Sequence, residues 1–174
     1  MRQRSRDGSR DGYREFAQER AAHLYRSACL LASGDTHLAE DLVQETLGRM
    51  YLLWGRISRI DNPAAYAQTV LVRSFLTHQR RRSAGERPVA DLPGPDAAAR
   101  DGDSALRLTL LQALGRLPPK DRAVLVLRYW EDRSIEETAD AMNVSLAAVR
   151  TRCTRALARL REELGGSPGE LIGR

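Results

Sequence analysis

The chain has 174 residues, room for one ordinary domain or two small ones, with 42% hydrophobic residues to fill a core and only 5% aromatics. Long alternating runs of Val, Ile and Thr are absent, which excludes a β-rich fold, while the good helix formers Ala, Leu, Arg and Glu dominate. The formal net charge of +5 suits a polyanionic partner without naming one.

Residues 1–12 are almost devoid of apolar side chains and are expected to be a disordered tail. From Tyr13 the pattern turns helical: Tyr13, Phe16, Ala21, Leu24, Ala28 and Leu31 recur at helical spacing until Ser33-Gly34-Asp35 breaks it. Gly34 suits the left-handed residue after a helix end. A second helix is predicted from about Thr36 to Trp54, with the stripe Ala39, Leu42, Val43, Thr46, Leu47, Met50 and Trp54. Asn62-Pro63 reads as a cap followed by proline in the first helical position. The third helix, to about Arg82, is apolar around much of its circumference, as befits a helix packed between two others. A first module therefore spans residues 13–82.

Residues 83–103 contain Pro88, Pro93 and Pro95, lack periodicity, and set Glu86, Asp91, Asp96, Asp101 and Asp103 against Arg87 and Arg100. This is an acidic, flexible linker. At ~3.3 Å per residue it reaches roughly 70 Å, about two turns of DNA. The free protein is accordingly expected to be two compact modules, cleaved first at this segment by a protease.

The second module, residues 104–164, opens with Ser104 as a cap and a helix carrying Leu106, Leu110, Leu111, Leu114 and Leu117. Pro118-Pro119 starts the next helix, to about Trp130. Ser134 and Glu137 form a capping box for a short helix ending near Met142. Ser145 caps a last helix that Gly165 and Gly166 stop, leaving 165–174 as a loose tail.

A short capped helix, a tight turn and a basic helix are in helix-turn-helix order. On the last helix Leu146, Val149, Cys153, Ala156, Leu157 and Leu160 share one face. Ala147, Thr151, Thr154 and Arg155 fall opposite, with Arg150 at the edge; such a face fits a major groove. On the second helix Glu40, Asp41, Gln44 and Glu45 stand beside the apolar stripe, a set that repels DNA and suits a protein partner. On the third, Tyr66 and Phe75 with Arg73, Arg80, Arg81 and Arg82 could stack on and neutralise unpaired DNA, although aromatics at this spacing more often belong to a core. Cys29 and Cys153 lie on different modules without metal-ligand or disulfide spacing and read as small core residues. No P-loop, GxGxxG or nucleophile motif occurs, and His23, His37 and His78 sit on separate segments. The reading is all-α, not an enzyme, with neither metal nor cofactor. No apolar run approaches the ~18 residues of a membrane span and the N-terminus lacks an apolar signal core, so a cytoplasmic protein without membrane insertion is expected.

Four stretches in order resemble the sigma-70 family, specifically the extracytoplasmic-function sigma factors. Ala39-Glu40-Asp41-Leu42-Val43-Gln44-Glu45-Thr46 is similar to the polymerase-binding helix of region 2. Asn62-Pro63-Ala64-Ala65-Tyr66 with Arg80-Arg81-Arg82 resembles the part that opens and reads the −10 element. Leu117-Pro118-Pro119-Lys120-Asp121-Arg122 and Leu127-Arg128-Tyr129-Trp130-Glu131-Asp132 resemble the start of region 4, and Val144 to Arg152 its helix-turn-helix. The resemblance covers about residues 13–164, leaves no room for regions 1.1 and 3, and is nearest in phrasing to the actinobacterial SigE branch. It implies core RNA polymerase (clamp and flap), promoter DNA and an anti-sigma factor as partners. Glu40, Asp41, Gln44 and Glu45 would face the clamp. Asn62, Tyr66, Arg73 and Arg80 to Arg82 would serve the −10 element. Ala147, Arg150, Thr151, Thr154 and Arg155 would face the −35 element, with Arg128 on a nearby phosphate. Two positions depart from the pattern: relatives often carry Asn where Arg73 stands, and Gly-Thr where Ala147-Ala148 stand, so their promoter sequences cannot be borrowed. The rivals are a stand-alone helix-turn-helix regulator and a protein-binding helical adaptor; capture of core polymerase separates both from a sigma factor.

Overall fold

The computed structural model describes residues 2–85 and 102–165, and among these every regular element is helical. Helices α1 (Arg2–Leu31), α2 (Thr36–Ile57) and α3 (Pro63–Gly85) form the first module. Helices α4 (Gly102–Gly115), α5 (Pro119–Leu125), a π-helical turn (Val126–Trp130), α6 (Ile135–Met142) and α7 (Leu146–Glu163) form the second.

The local signals act as expected at most helix ends. Gly34 stands at φ +86° and donates its amide to the Cys29 carbonyl at 2.9 Å, closing α1. Asp35 caps α2 by accepting from the Leu38 amide at 3.0 Å. Asn62 caps α3 through the Ala65 amide at 2.9 Å. Both halves of the Ser134–Glu137 box are made, and Ser145 accepts from the Ala148 amide. Each such cap is worth about 1 kcal/mol. Asn143 takes the left-handed conformation at φ 54°, giving the tight turn between α6 and α7.

Several boundaries differ from the sequence reading. Helix α1 begins at Arg2, so residues 2–12 are helical rather than a disordered tail. Tyr13 and Phe16 pack edge-on or tilted against Trp54 of α2, which anchors a turn from which arginine-rich sequence can continue as helix. Helix α3 runs on to Gly85 and α4 starts at Gly102, so Ser104 lies inside its helix and is not its cap. The linker between helices shortens to residues 86–101, which, like the tail 166–174, lies outside the described residues.

The modules do not stand apart. One cluster of buried apolar side chains runs from Leu24, Ala28 and Leu31 of α1 and Leu71 and Phe75 of α3 to Val124, Leu127, Ala141 and Met142 of the second module. Phe75 is wholly buried there, with the Arg122 guanidinium 5.6 Å from its ring centre, so it is core and cannot stack on a base. Cys29 is buried and Cys153 half-buried against the same cluster.

Candidate functional site

The four residues expected to meet a protein partner do share a surface. Leu38, Ala39, Leu42, Val43 and Thr46 turn inward along α2, leaving Glu40, Asp41, Gln44 and Glu45 all exposed. Glu45 accepts from Arg49 at 2.7 Å, an exposed pair one helical turn apart that contributes little to stability.

Along α3 a spacing of seven residues puts Tyr66, Arg73 and Arg80 on nearly one line, since seven residues miss two full turns by only ~20°. Tyr66 is 37% exposed, and Arg80, Arg81 and Arg82 are exposed in the last turns. Two members of this set are engaged. The Asn62 carboxamide oxygen is taken by its cap. Arg73 donates from Nε to the Ala141 carbonyl at 2.8 Å and from Nη2 to the Asp140 carbonyl at 2.9 Å, closing the C-terminal end of α6 in the other module. A cation there also meets the negative end of the helix dipole.

Helix α7 buries Val149 and Ala156 and exposes Ala147, Arg150, Thr151, Thr154 and Arg155, so the face expected to enter DNA is open. Leu146, placed on the apolar side by spacing alone, is 40% exposed as the first residue of α7. Arg128 does not join this face. It is half-buried, and its Nη1 donates to the Arg133 carbonyl, holding the turn at Asp132, whose φ is 51°.

Sequence reasoning passed over three residues. Asp121, 1% exposed, accepts from Arg152 at 2.8 Å and Arg159 at 3.0 Å, with Arg155 at 4.0 Å. Three arginines of α7 are thus gathered by a single acid from α5, which fastens α7 to its neighbour. Asp121 stands between Lys120 and Arg122, so its context gave no signal of burial. Arg122 is buried without a carboxylate among the described residues, and burial pushes its pKa down to about 10. It donates to the carbonyls of Leu31, Gly115 and Leu117, the first belonging to the other module. Glu131 is buried against α1 and α3, where it accepts from Ser27 and Gln68 and meets His23 at 2.7 Å.

Two sequence families match the chain at these surfaces: sigma-70 region 2 over residues 13–85, and sigma-70 region 4 over residues 107–160. The RNA polymerase sigma-E factor of Streptomyces coelicolor is 39% identical over 155 residues, covering 87% of this chain and 85% of that protein. The chain belongs to the sigma-70 family. Within it, the similarity lies with extracytoplasmic-function sigma factors: the SigE factor of Mycolicibacterium smegmatis is 33% identical over 90% of this chain and 63% of its own. The sigma factor CarQ of Myxococcus xanthus is 31% identical over 94% of this chain and 95% of its own. Among solved structures, the sigma factor RpoE of Bartonella quintana, crystallised with the anti-sigma factor NepR, superposes with a TM-score of 0.65. Its identity is 25%, and the match covers 86% of this chain and 96% of that one, an extent that takes in both regions. In this sigma factor α1 to α3 are region 2, and α4 to α7 are region 4.

Proposed function

We propose a division of labour among the surfaces of this sigma factor. The protein binds core RNA polymerase and directs promoter-specific initiation, by binding rather than by chemistry on a substrate. The α2 face of Glu40, Asp41, Gln44 and Glu45 docks on the polymerase clamp. Tyr66, Arg73 and Arg80 to Arg82 of α3 take the opened −10 strand, stacking and neutralising phosphate, with Asn62 supporting them by starting the helix. Extruding a base costs a few kcal/mol, which the stack on an aromatic recovers in part. Ala147, Arg150, Thr151, Thr154 and Arg155 of α7 read the −35 duplex in the major groove. Arg128 acts as a support for the turn beneath the reading helix, and any phosphate contact it makes requires that carbonyl bond to yield.

The observation that carries this reading is the combination in one chain of an exposed acidic helix face and an exposed arginine- and threonine-bearing recognition helix. A stand-alone regulator has no use for the first, and an adaptor has none for the second. Because the relative from Bartonella quintana was solved with an anti-sigma factor, an inhibitory protein partner is proposed here too. None of the described helices is long and apolar enough to cross a membrane, and the place of action is the cytoplasm, where polymerase and promoter are.

Run-off transcription with core polymerase on genomic fragments tests the reading. Discrete start sites that depend on the added protein are expected. Transcripts identical with and without it would overturn the assignment.

A further inference from the structure

The reading face of α7 is fixed in rotation before it meets DNA. Val149 and Ala156 are wholly buried on the opposite side. Asp121 ties Arg152 and Arg159 to α5, while Ser145 and the left-handed Asn143 set where the helix starts. Contacts at van der Waals range need such support, because a group held about 1 Å too loosely loses them.

The middle of that face carries no long side chain. Ala147, Thr151 and Thr154 are exposed there, with Arg150 at the edge. Seven residues nearly close two turns, so Ala147 and Thr154 line up to within ~20°. They stand about 10 Å apart along the helix axis, which corresponds to about three base-pair steps of duplex. Thr154 is not a free hydroxyl. Its Oγ1 donates to the Arg150 carbonyl at 3.2 Å, one turn back. A hydroxyl has a single proton, and here the helix takes it. Thr154 therefore donates to no base, and its γ-methyl is left as the contact group that matches the Ala147 methyl. The Thr154 oxygen keeps acceptor capacity, which suits an amino group of adenine or cytosine; a serine in its place would keep that capacity and lack the methyl. In the major groove the apolar feature of a base pair is the C5-methyl of thymine, which the other three bases lack.

We propose that α7 recognises its −35 element partly through thymine methyl groups. Ala147 and Thr154 each pack against one, on base pairs about three steps apart. The proposal rests on the reading of α7 as the −35 helix and adds the chemical feature that it reads.

The test uses holoenzyme and duplex DNA. Duplexes randomised at the −35 element, upstream of a start site found by run-off transcription, are selected for binding to holoenzyme. Each thymine of the selected element is then replaced singly by deoxyuridine, which removes the C5-methyl and leaves every hydrogen-bonding group in place. Two thymine positions should each lose about three- to fourfold in affinity, as expected for burial of one methyl group. Ala147→Gly should abolish the loss at one of them only. Thr154→Ser, which keeps the hydroxyl and its carbonyl bond, should abolish it at the other only, and Thr154→Val should retain it. The readout is the ratio of thymine to deoxyuridine affinity within each protein, so a general loss of stability or affinity cancels. Deoxyuridine bound as tightly as thymine at every position, a selected element without thymine, or a methyl effect that either variant fails to remove would overturn the proposal. A selection that yields no −35 preference at all instead strikes the reading of α7 as the −35 helix, and the proposal with it.

Discussion

Removing the Asp121 carboxylate should destabilise region 4 far more than its sequence context suggests. The acid is almost wholly buried and holds Arg152 at 2.8 Å and Arg159 at 3.0 Å. Breaking a fully buried ion pair by deleting one partner costs about 3–5 kcal/mol. The arginine side chains, however, are 22% and 45% exposed and can turn partly to water once released. A value below that range therefore applies, about 2–3 kcal/mol for Asp121→Ala, and about half that for Asp121→Asn, which keeps an acceptor. For a chain of this size each kcal/mol moves the melting temperature by roughly 2–4 °C, so Asp121→Ala should lower it by about 4–12 °C. Thermal unfolding followed by circular dichroism at 222 nm measures this. The loss should persist at high salt, because screening acts weakly on a buried pair. A penalty below ~0.5 kcal/mol, or one that vanishes in salt, would place Asp121 among ordinary surface pairs and refute the claim that it anchors α7.

Further outcomes follow from the same geometry. Asp41→Arg should weaken co-purification with core polymerase while leaving the melting temperature within about 1–2 °C of wild type, since the residue is exposed on α2. Arg150→Ala and Arg155→Ala should flatten the preference of holoenzyme among −35 variants by about 1–3 kcal/mol each, read as promoter binding across a substitution panel. A uniform loss on all variants would mean that α7 is not the reader. Arg128→Ala should weaken all variants alike and, because its guanidinium holds the Arg133 carbonyl, should also lower the melting temperature. The Tyr13 hydroxyl donates to the Leu47 carbonyl at 2.8 Å, and burial, then Tyr51, raises its pKa. The neutral form is the one the fold favours, so this stabilisation is complete below about pH 10 and is lost as pH rises through the raised value. Tyr13→Phe should cost about 1 kcal/mol at neutral pH and remove this alkaline loss from unfolding curves.

The sequence by itself determined what depends on neighbours a few residues apart. Helix stops at Gly34 and Gly165, the caps at Asn62, Ser134 and Ser145, and the left-handed Asn143 are each set by contacts spanning no more than about five residues. The faces of α2 and α7 were legible for a related reason: a 3.6-residue period sorts side chains into inward and outward before any partner is known. Hence Glu40, Asp41, Gln44 and Glu45 on α2, and Ala147, Arg150, Thr151, Thr154 and Arg155 on α7, are exposed as the period predicts.

What tertiary structure decided lies at long range. Glu131, Arg133 and Arg122 have the appearance of solvated charges, because burial of a charge is recognisable only once its partners are known. Those of Glu131 are Ser27 and Gln68, 104 and 63 positions away. Phe75 shares the helical spacing of exposed and buried aromatics alike, and only the arrival of Arg122 and the region 4 core makes it interior. The helical start of α1 depends on Tyr13 and Phe16 finding Trp54. Arg73 shows the difference most plainly. Its position on α3 follows from spacing, but whether its guanidinium faces DNA or closes α6 depends on where region 4 sits, a choice made by the fold of the whole chain.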